Sequence, residues 1–387
     1  MTWTRRSAQS LLALAALAIP AAPQQTSADR FQVGITVNRE LGADGRDRAS
    51  VHLQAGEFVK WVAMQQSTDL ALRLLDSHDR EVSQSDSANG SFGPEIVAAI
   101  AEETGDYTLE VRASSGKATT YPLTLAALRL ATPDDRQEVE ARLQLRQAWV
   151  LLNRHTPAAR ADAIALLYSA RPIFSRLADR YYQGVTLLME SSMQAEAGSS
   201  REALAGAEQA IRKFDEAGDV YGVAVAGTIV GGMLDILGEP QKAIDAYRAS
   251  FAAYGTLGLS AQQASPLNNI GKVEADRGNW QAALDIYSQA LALARETGDR
   301  RRQGLLLHNI GSAYRSLGDY DQAISLLEQG LAVRRSLQDK AGEAQSLAGL
   351  ASTIEKLGRS AQALEYYQQA LALFVELGNR RSQAETK

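Results

Sequence analysis

The chain has 387 residues, of which 45% are hydrophobic and 22% charged, with a net charge of −5. This length and composition exclude an intrinsically disordered protein and predict two or three folded domains. The nearly balanced charge, without a long run of one sign, argues against nucleic acid as a partner. The absence of cysteine excludes disulfides, thiolate metal sites and cysteine nucleophiles within this chain.

The first residues have the pattern of an export signal. Arg5 and Arg6 precede an apolar stretch over residues 11–19, and small residues follow, so that we expect cleavage after Ala21. The apolar stretch is shorter than the roughly 20 residues that span a bilayer, which makes a permanent anchor the less favoured alternative. Residues 1–29 are therefore predicted to be a signal peptide and linker. The mature protein is expected in the periplasm or outside the cell, without a stable membrane span.

Residues 30–130 have the texture of an antiparallel β-sandwich. Short β-rich runs such as 58–62 and 107–111 alternate with turn-forming residues at the spacing of neighbouring strands, and we expect about eight strands. The polar segment 86–90 shares only its polar content with a calcium loop, and a solvated hairpin turn is the favoured interpretation.

The order of the β-rich segments resembles the bacterial pre-peptidase C-terminal type of β-sandwich. The residues that carry the resemblance are Leu-Gln-Ala-Gly at 53–56, Asp-Leu-Ala-Leu-Arg-Leu-Leu-Asp at 69–76 and Gly-Asp-Tyr-Thr-Leu-Glu-Val at 105–111. The resemblance covers most of residues 31–128. We therefore expect an antiparallel, jelly-roll-like sandwich.

From residue 131 the chain is predicted to be helical and built on a repeat of forty residues. Glycines recur at the turn between the two helices of each unit, a small residue follows five positions later, and a larger side chain follows four positions after that. These three ladders are Gly198, Gly238, Gly278, Gly318 and Gly358; Ala163, Ala203, Ala243, Ala283, Ala323 and Ala363; and Leu167, Ala207, Tyr247, Tyr287, Leu327 and Tyr367. The small residue of the second ladder is predicted to let the two helices approach closely. The first helix contributes further small residues, such as Gly231, Gly271 and Gly311.

The stretch 307–324 resembles the consensus of the tetratricopeptide repeat in its longer, forty-residue variety. The resemblance implies an all-α solenoid over residues 131–380, with about six helix-turn-helix units that begin near residues 141, 181, 221, 261, 301 and 341. The first unit is degenerate, because it carries Trp149 and Leu151 but no glycine signature. This suits a unit that packs against the sandwich or caps the array. Residues 381–387 begin a further repeat, and self-association through that uncapped end is a hypothesis.

The sequence contains no recognisable catalytic constellation. Its four histidines, His52, His78, His155 and His308, have no second ligand at metal-binding spacing. Phosphate-binding loops and nucleophile elbows are also missing. We therefore predict a non-enzymatic chain without a cofactor or a bound metal.

In the repeat family that this chain resembles, the exposed faces of the first helices line a concave groove that binds a peptide or a partner protein. Asn269 and Asn309 occupy a position from which such repeats often hydrogen-bond a peptide backbone, and Lys272, His308 and Arg315 fall at neighbouring positions. These five residues form the predicted partner-binding site. The competing interpretation is that the two asparagines bond within or between helices.

Two functional hypotheses follow. The first is an exported, non-catalytic scaffold for protein–protein interaction, with the partner in the concave groove. The second starts from the order of signal, sandwich and repeats, which resembles the front part of bacterial proteins that continue into a caspase-like CHAT peptidase domain. In that case this chain would be the accessory region of a longer peptidase, whose catalytic residues lie beyond Lys387.

Overall fold

A computed structural model describes residues 31–42, 44–66, 68–85, 92–113, 120–154 and 156–379. The predicted signal peptide with its expected cleavage after Ala21, the polar segment 86–90, His155 and the further repeat at 381–387 lie outside the described residues.

The N-terminal part is a sandwich of two antiparallel sheets. Its strands are β1 (Thr36–Glu40), β2 (Arg46–Leu53), β3 (Glu57–Gln66), β4 (Leu70–Leu75), β5 (Glu81–Ser85), β6 (Phe92–Ile100), β7 (Gly105–Ala113) and β8 (Thr120–Leu130). One sheet has the order β1-β8-β3-β6 and the other the order β2-β7-β4-β5. This pairing of eight strands is the jelly-roll order, as the sequence predicted.

The inner faces of both sheets form the core of the sandwich. Along β4 the side chains of Leu70, Leu72 and Leu74 point inward and are buried, while Ala71 and Arg73 between them are partly exposed. This alternation follows from the two-residue period of a strand and explains why the β-rich runs were recognisable in the sequence.

The rest of the described chain consists of twelve helices in six consecutive pairs. They are α1 (Pro133–Leu152), α2 (Pro157–Arg176), α3 (Arg180–Glu196), α4 (Ser200–Glu216), α5 (Val220–Ile236), α6 (Pro240–Thr256), α7 (Ser260–Asp276), α8 (Trp280–Glu296), α9 (Arg300–Leu317), α10 (Tyr320–Ser336), α11 (Lys340–Lys356) and α12 (Ser360–Glu376). The predicted fold class, a β-sandwich followed by a helical solenoid, is confirmed.

The first helix begins ahead of the start near residue 141 that the period predicts. Thr132 caps α1 and forms a reciprocal capping box with Asp135, and Pro133 occupies the first turn. The cap therefore sets the start of this helix, which directly follows β8. Among the described helices, none is long and apolar enough to cross a membrane.

Two devices repeat through the helical array. The glycines at the turns inside the units adopt the left-handed backbone conformation, for example with φ of +86° at Gly318. A residue that has a Cβ atom would be strained in this conformation. In the third unit the helices interlock, because a Cβ atom added at Gly231 would lie 2.6 Å from the ring of Tyr247. The same relationship joins Gly271 to Tyr287 in the fourth unit. The glycines of the first helix thus make room for the aromatic rings of the second helix in these two units.

Candidate functional site

The first helices of the units line the inner surface of the array. From α3 to α11, each first helix contacts the next first helix, whereas successive second helices make no contacts of comparable extent. Elements that approach each other more closely lie on the inside of a curved stack. The first helices therefore form the concave groove.

The two predicted asparagines are linked through a third. Nδ2 of Asn309 donates a hydrogen bond to Oδ1 of Asn268 at 2.8 Å, and Nδ2 of Asn268 donates to Oδ1 of Asn269 at 3.3 Å. All three side chains are half-buried. The structure thus joins α7 to α9 by a chain of amides, and Asn268 is a member that the sequence interpretation missed. The role of Asn269 and Asn309 in binding stays a prediction.

Lys272 is exposed but engaged by two carboxylates. Its Nζ lies 2.8 Å from Oδ2 of Asp276 on the same helix and 3.1 Å from Oδ2 of Asp235 on α5. The hydrogen bonds from Lys272 to Asp276 and Asp235 raise the pKa of the lysine. A partner that binds at Lys272 therefore meets a locally acidic cluster rather than an isolated cation.

His308 faces the neighbouring unit. A Cβ atom added at Gly349 of α11 would lie 3.2 Å from Cε1 of His308, and Nδ1 of the ring is buried without a hydrogen-bond partner among the described residues. Burial, together with the positive charges of Arg334 and Arg315, lowers the pKa of His308 to about 3. The ring is therefore neutral at physiological pH and packs between units.

Arg315 is the last of the five predicted residues. It is half-buried, and burial lowers the pKa of its guanidinium group. It forms no ion pair with any carboxylate in the part of the chain that the structure describes. Of the five predicted residues, Arg315 is thus the cation best able to attract a carboxylate or carbonyl of a partner.

A cavity of about 320 Å³ lies where the sandwich meets the first three units, and the sequence interpretation missed it. One wall comes from β5 and β6 of the sandwich, and the others come from α1, α3 and α5. Most of the lining surface is apolar, with Leu145, Trp149, Tyr181, Tyr182, Val225 and Ile229 among the lining residues. Ile229 stands forty residues before Asn269, so the cavity reaches the position on α5 that Asn269 occupies on α7.

Charged side chains join the sandwich to the array beside this cavity. Nζ of Lys60 on β3 lies 2.7 Å from Oε1 of Glu138 on α1. The same oxygen accepts hydrogen bonds from Nε and Nη2 of Arg142, and Nη2 also reaches Oδ2 of Asp179 at 3.2 Å. Two cations and two carboxylates therefore form a balanced, largely buried cluster at the junction.

Titratable side chains do not gather into a metal site. Among the described residues, no group of three or more His, Asp or Glu side chains could hold a metal ion. What the inner surface offers is amide groups, an unpaired cation at Arg315 and an apolar cavity at one end. Amide groups, a cation and an apolar cavity are the kinds of group that bind and orient a partner.

Comparison with known proteins agrees with this description of the helices. Residues 262–336 and 306–376 match the family model of the tetratricopeptide repeat. No curated protein is significantly similar to the chain in sequence.

Three solved structures illustrate the similarity in fold. Aspartyl phosphate phosphatase F from Bacillus subtilis is 14% identical with a TM-score of 0.50, and the match covers 65% of this chain and 70% of that one. BtubC from P. vanneervenii is 18% identical with a TM-score of 0.45, covering 64% and 94%. A STAND protein with a tetratricopeptide repeat sensor from Pyrococcus horikoshii is 18% identical with a TM-score of 0.48, covering 68% and 45%. The match of residues 262–336 and 306–376 to the family model, carried by regular helix pairs, identifies the repeats over those residues as tetratricopeptide repeats.

Proposed function

We propose that the chain is a non-catalytic scaffold that binds an extended peptide or partner segment along its concave groove. The observation that carries the proposal is the amide chain of Asn269, Asn268 and Asn309 on the inner surface of the tetratricopeptide repeats. Repeat arrays of this kind offer long concave surfaces, and an extended segment is the shape that such a surface accommodates.

The hydrogen bonds inside the amide chain leave suitable groups for a peptide backbone. Asn269 uses its oxygen as an acceptor and Asn309 uses its nitrogen as a donor. In the described part of the chain, Nδ2 of Asn269 and Oδ1 of Asn309 have no hydrogen-bond partner. One asparagine therefore offers a donor to a peptide carbonyl and the other an acceptor to a peptide N–H, on neighbouring helices. The bond between the helices then supports the proposed binding role, since it fixes both amides in place.

The test uses peptides selected from a random library displayed on phage, with the full chain as bait. We expect the selected peptides to lose about tenfold or more in affinity for the double variant Asn269→Ala and Asn309→Ala. The control is Gln329→Ala, which removes an exposed amide from the second helix α10. The bound peptides are also cross-linked to the chain. The proposal would be overturned if the double variant and the control bound the peptides equally well and the cross-links formed only to second helices.

We also propose that the chain is exported. The support is the sequence of residues 1–29, in which Arg5 and Arg6 precede an apolar stretch and small residues around Ala21. Fractionation of bacteria that express the full chain, with mass spectrometry of the N-terminus, tests this. We expect a periplasmic or secreted protein that begins after Ala21. A cytoplasmic protein that keeps residues 1–29 would contradict export.

The sandwich has its own proposed relationship. Its similarity to the pre-peptidase C-terminal type is supported by the sequence segments 53–56, 69–76 and 105–111, which lie at the end of β2, along β4 and along β7. The hypothesis of an accessory region of a CHAT peptidase receives no support from the comparisons, and we do not propose it.

A further inference from the structure

The cavity at the junction of sandwich and repeats has the size and walls of a site for one large apolar group. Its volume of about 320 Å³ is at the lower end of the range of small-molecule pockets, roughly 300–1,000 Å³. Trp149, Tyr181 and Tyr182 contribute aromatic walls, and Ile96 of the sandwich contributes an aliphatic one. Trp149 stays 38% exposed, although large apolar side chains of this kind favour burial.

One polar group in the lining has hydrogen-bonding capacity to spare. The side chain of Arg142 is only 10% exposed, and its Nη1 is buried without a hydrogen-bond partner among the described residues. Leaving a buried charged donor unpaired is unfavourable, so native proteins usually satisfy such groups. Arg142 therefore indicates an acceptor that this chain does not itself supply.

The charge around Arg142 favours an uncharged acceptor. Glu138 and Asp179 already compensate Arg142, and Lys60 shares Glu138. A carboxylate or phosphate in the cavity would also approach Asp219, a further lining residue, while the other lining cation, Arg146, already lies 4.0 Å from Oε1 of Glu81. A peptide carbonyl oxygen can accept from Nη1 without adding a negative charge to this balanced cluster.

The position of the cavity connects it to the groove. Val225 and Ile229 of α5 line it, and Ile229 holds the place in its unit that Asn269 holds in the next one. An extended segment that follows the first helices past the amide chain therefore reaches the cavity one unit later. The sandwich closes this end with Gln84, Ser85 and Ile96.

From these observations we infer that the junction cavity is an anchor pocket, which takes one large apolar side chain of the segment bound in the groove. Nη1 of Arg142 has no exposed surface in the free chain, so a shift of the guanidinium group on the Tyr182 ring accompanies its hydrogen bond to a backbone carbonyl oxygen of that segment. The inference rests on the proposed function for its biological partner, but the pocket itself can be tested alone. Because the sandwich supplies one wall, the site belongs to the two-part architecture of this chain and not to the repeats as such.

The direct test uses indole, the side chain of tryptophan, as the probe on the full chain. Ser192→Phe adds a ring to the cavity from α3 and should weaken indole binding about tenfold or more by filling its space. The matched control is Ser312→Phe, since Ser312 holds the same place three units later, outside the cavity. It should leave indole binding within about twofold of the original chain. Val225→Phe fills the cavity from α5 and replaces Ser192→Phe if that variant does not fold.

The anchor pocket would be overturned if both cavity-filling variants bound indole as tightly as the original chain does. It would also be overturned if the original chain did not bind indole at millimolar concentration. The selected peptides separate this failure from failure of the groove. We expect the selected peptides to share a large apolar residue. When this residue of the peptide is replaced by alanine, Ser192→Phe should no longer weaken peptide binding, whereas any effect of Ser312→Phe on peptide binding should remain. If the double variant at Asn269 and Asn309 loses peptide binding but the peptides show no such dependence on Ser192, the groove proposal stands and the pocket is refuted.

Discussion

The guanidinium group of Arg142 lies over the ring of Tyr182, with its central carbon 4.2 Å from the ring centroid. The contact joins α1 to α3, the first helices of the first two units. A cation over an aromatic face is attracted to it, and the attraction is larger where water is excluded. Together with the carboxylates of Glu138 and Asp179, the ring holds the guanidinium group of Arg142, whose Nη1 is buried without a hydrogen-bond partner among the described residues.

The junction cluster leads to a prediction about stability. Glu138→Ala removes the carboxylate that Lys60 and Arg142 share and leaves two largely buried cations without it. We expect a loss of about 3–5 kcal/mol in the free energy of unfolding, measured by urea denaturation followed by circular dichroism. Glu196→Ala is the control, because it breaks an exposed pair with Arg160 and should cost about 0–1 kcal/mol. Equal losses would show that the junction cluster does not stabilise the fold.

The interlocked helices allow a comparison of two adjacent glycines. Gly231→Ala would place a Cβ atom 2.6 Å from the ring of Tyr247, and we expect destabilisation by about 1–3 kcal/mol. At Gly232 a Cβ atom would meet only the hydroxyl of Tyr247, at 3.6 Å. Gly232→Ala should therefore stabilise the helix by roughly 0.5–1 kcal/mol. Thermal unfolding of both variants checks the opposite signs, and a shift of both in the same direction would contradict this packing.

His308 leads to a prediction about pH. Its pKa is lowered from 6.5 to about 3, so the unfolded chain binds a proton in this range that the folded chain does not. Stability that is present above pH 6.5 is therefore lost as the pH falls towards 3, by up to about 5 kcal/mol for this one group.

The variant His308→Leu lacks this titration. The difference in unfolding free energy between the original chain and the variant should change steadily between pH 7 and pH 4, to the disadvantage of the original chain. Taking the difference cancels the titration of the carboxylates, which the two proteins share. A constant difference across this range would mean that His308 titrates equally in both states.

The amide chain can be divided at its central member. Asn268→Asp keeps the oxygen that accepts from Asn309 but loses the donor to Asn269, while Asn268→Ala loses both bonds. We expect the alanine variant to lose about 1 kcal/mol in stability and the aspartate variant less. Both variants should bind the selected peptides more weakly, because Asn268 positions Asn269 and Asn309. Unchanged peptide affinity in Asn268→Ala would show that the amides need no such support.

The fold was largely predictable because its local devices leave marks in the sequence. The turn glycines must adopt positive φ, the first-helix glycines must admit the side chains of Tyr247 and Tyr287, and the sandwich core requires alternation. Each requirement acts over a few residues or recurs at a fixed period. The capping box of Thr132 and Asp135 is a requirement of the same local kind.

The candidate site was predictable only in part. The position of Asn309 in its unit followed from the repeat, but the direction of the His308 ring depends on Gly349 in the next unit, where the repeat has no glycine ladder. The cavity depends on contacts between sandwich and helices, which no local pattern encodes. A visible signal was the aromatic pair Tyr181 and Tyr182, since the equivalent places in the fifth unit hold Arg301 and Arg302.

The interlocking of glycine and aromatic ring is complete within a single unit, as between Gly271 and Tyr287. A block of forty residues can therefore be duplicated or deleted while the remaining units keep their internal packing. The cavity depends on side chains that occur once, in the sandwich and the first three units. Gene duplication can thus change the distance from the sandwich to the far end of the groove in steps of one unit, while the first contacts of a bound segment stay the same.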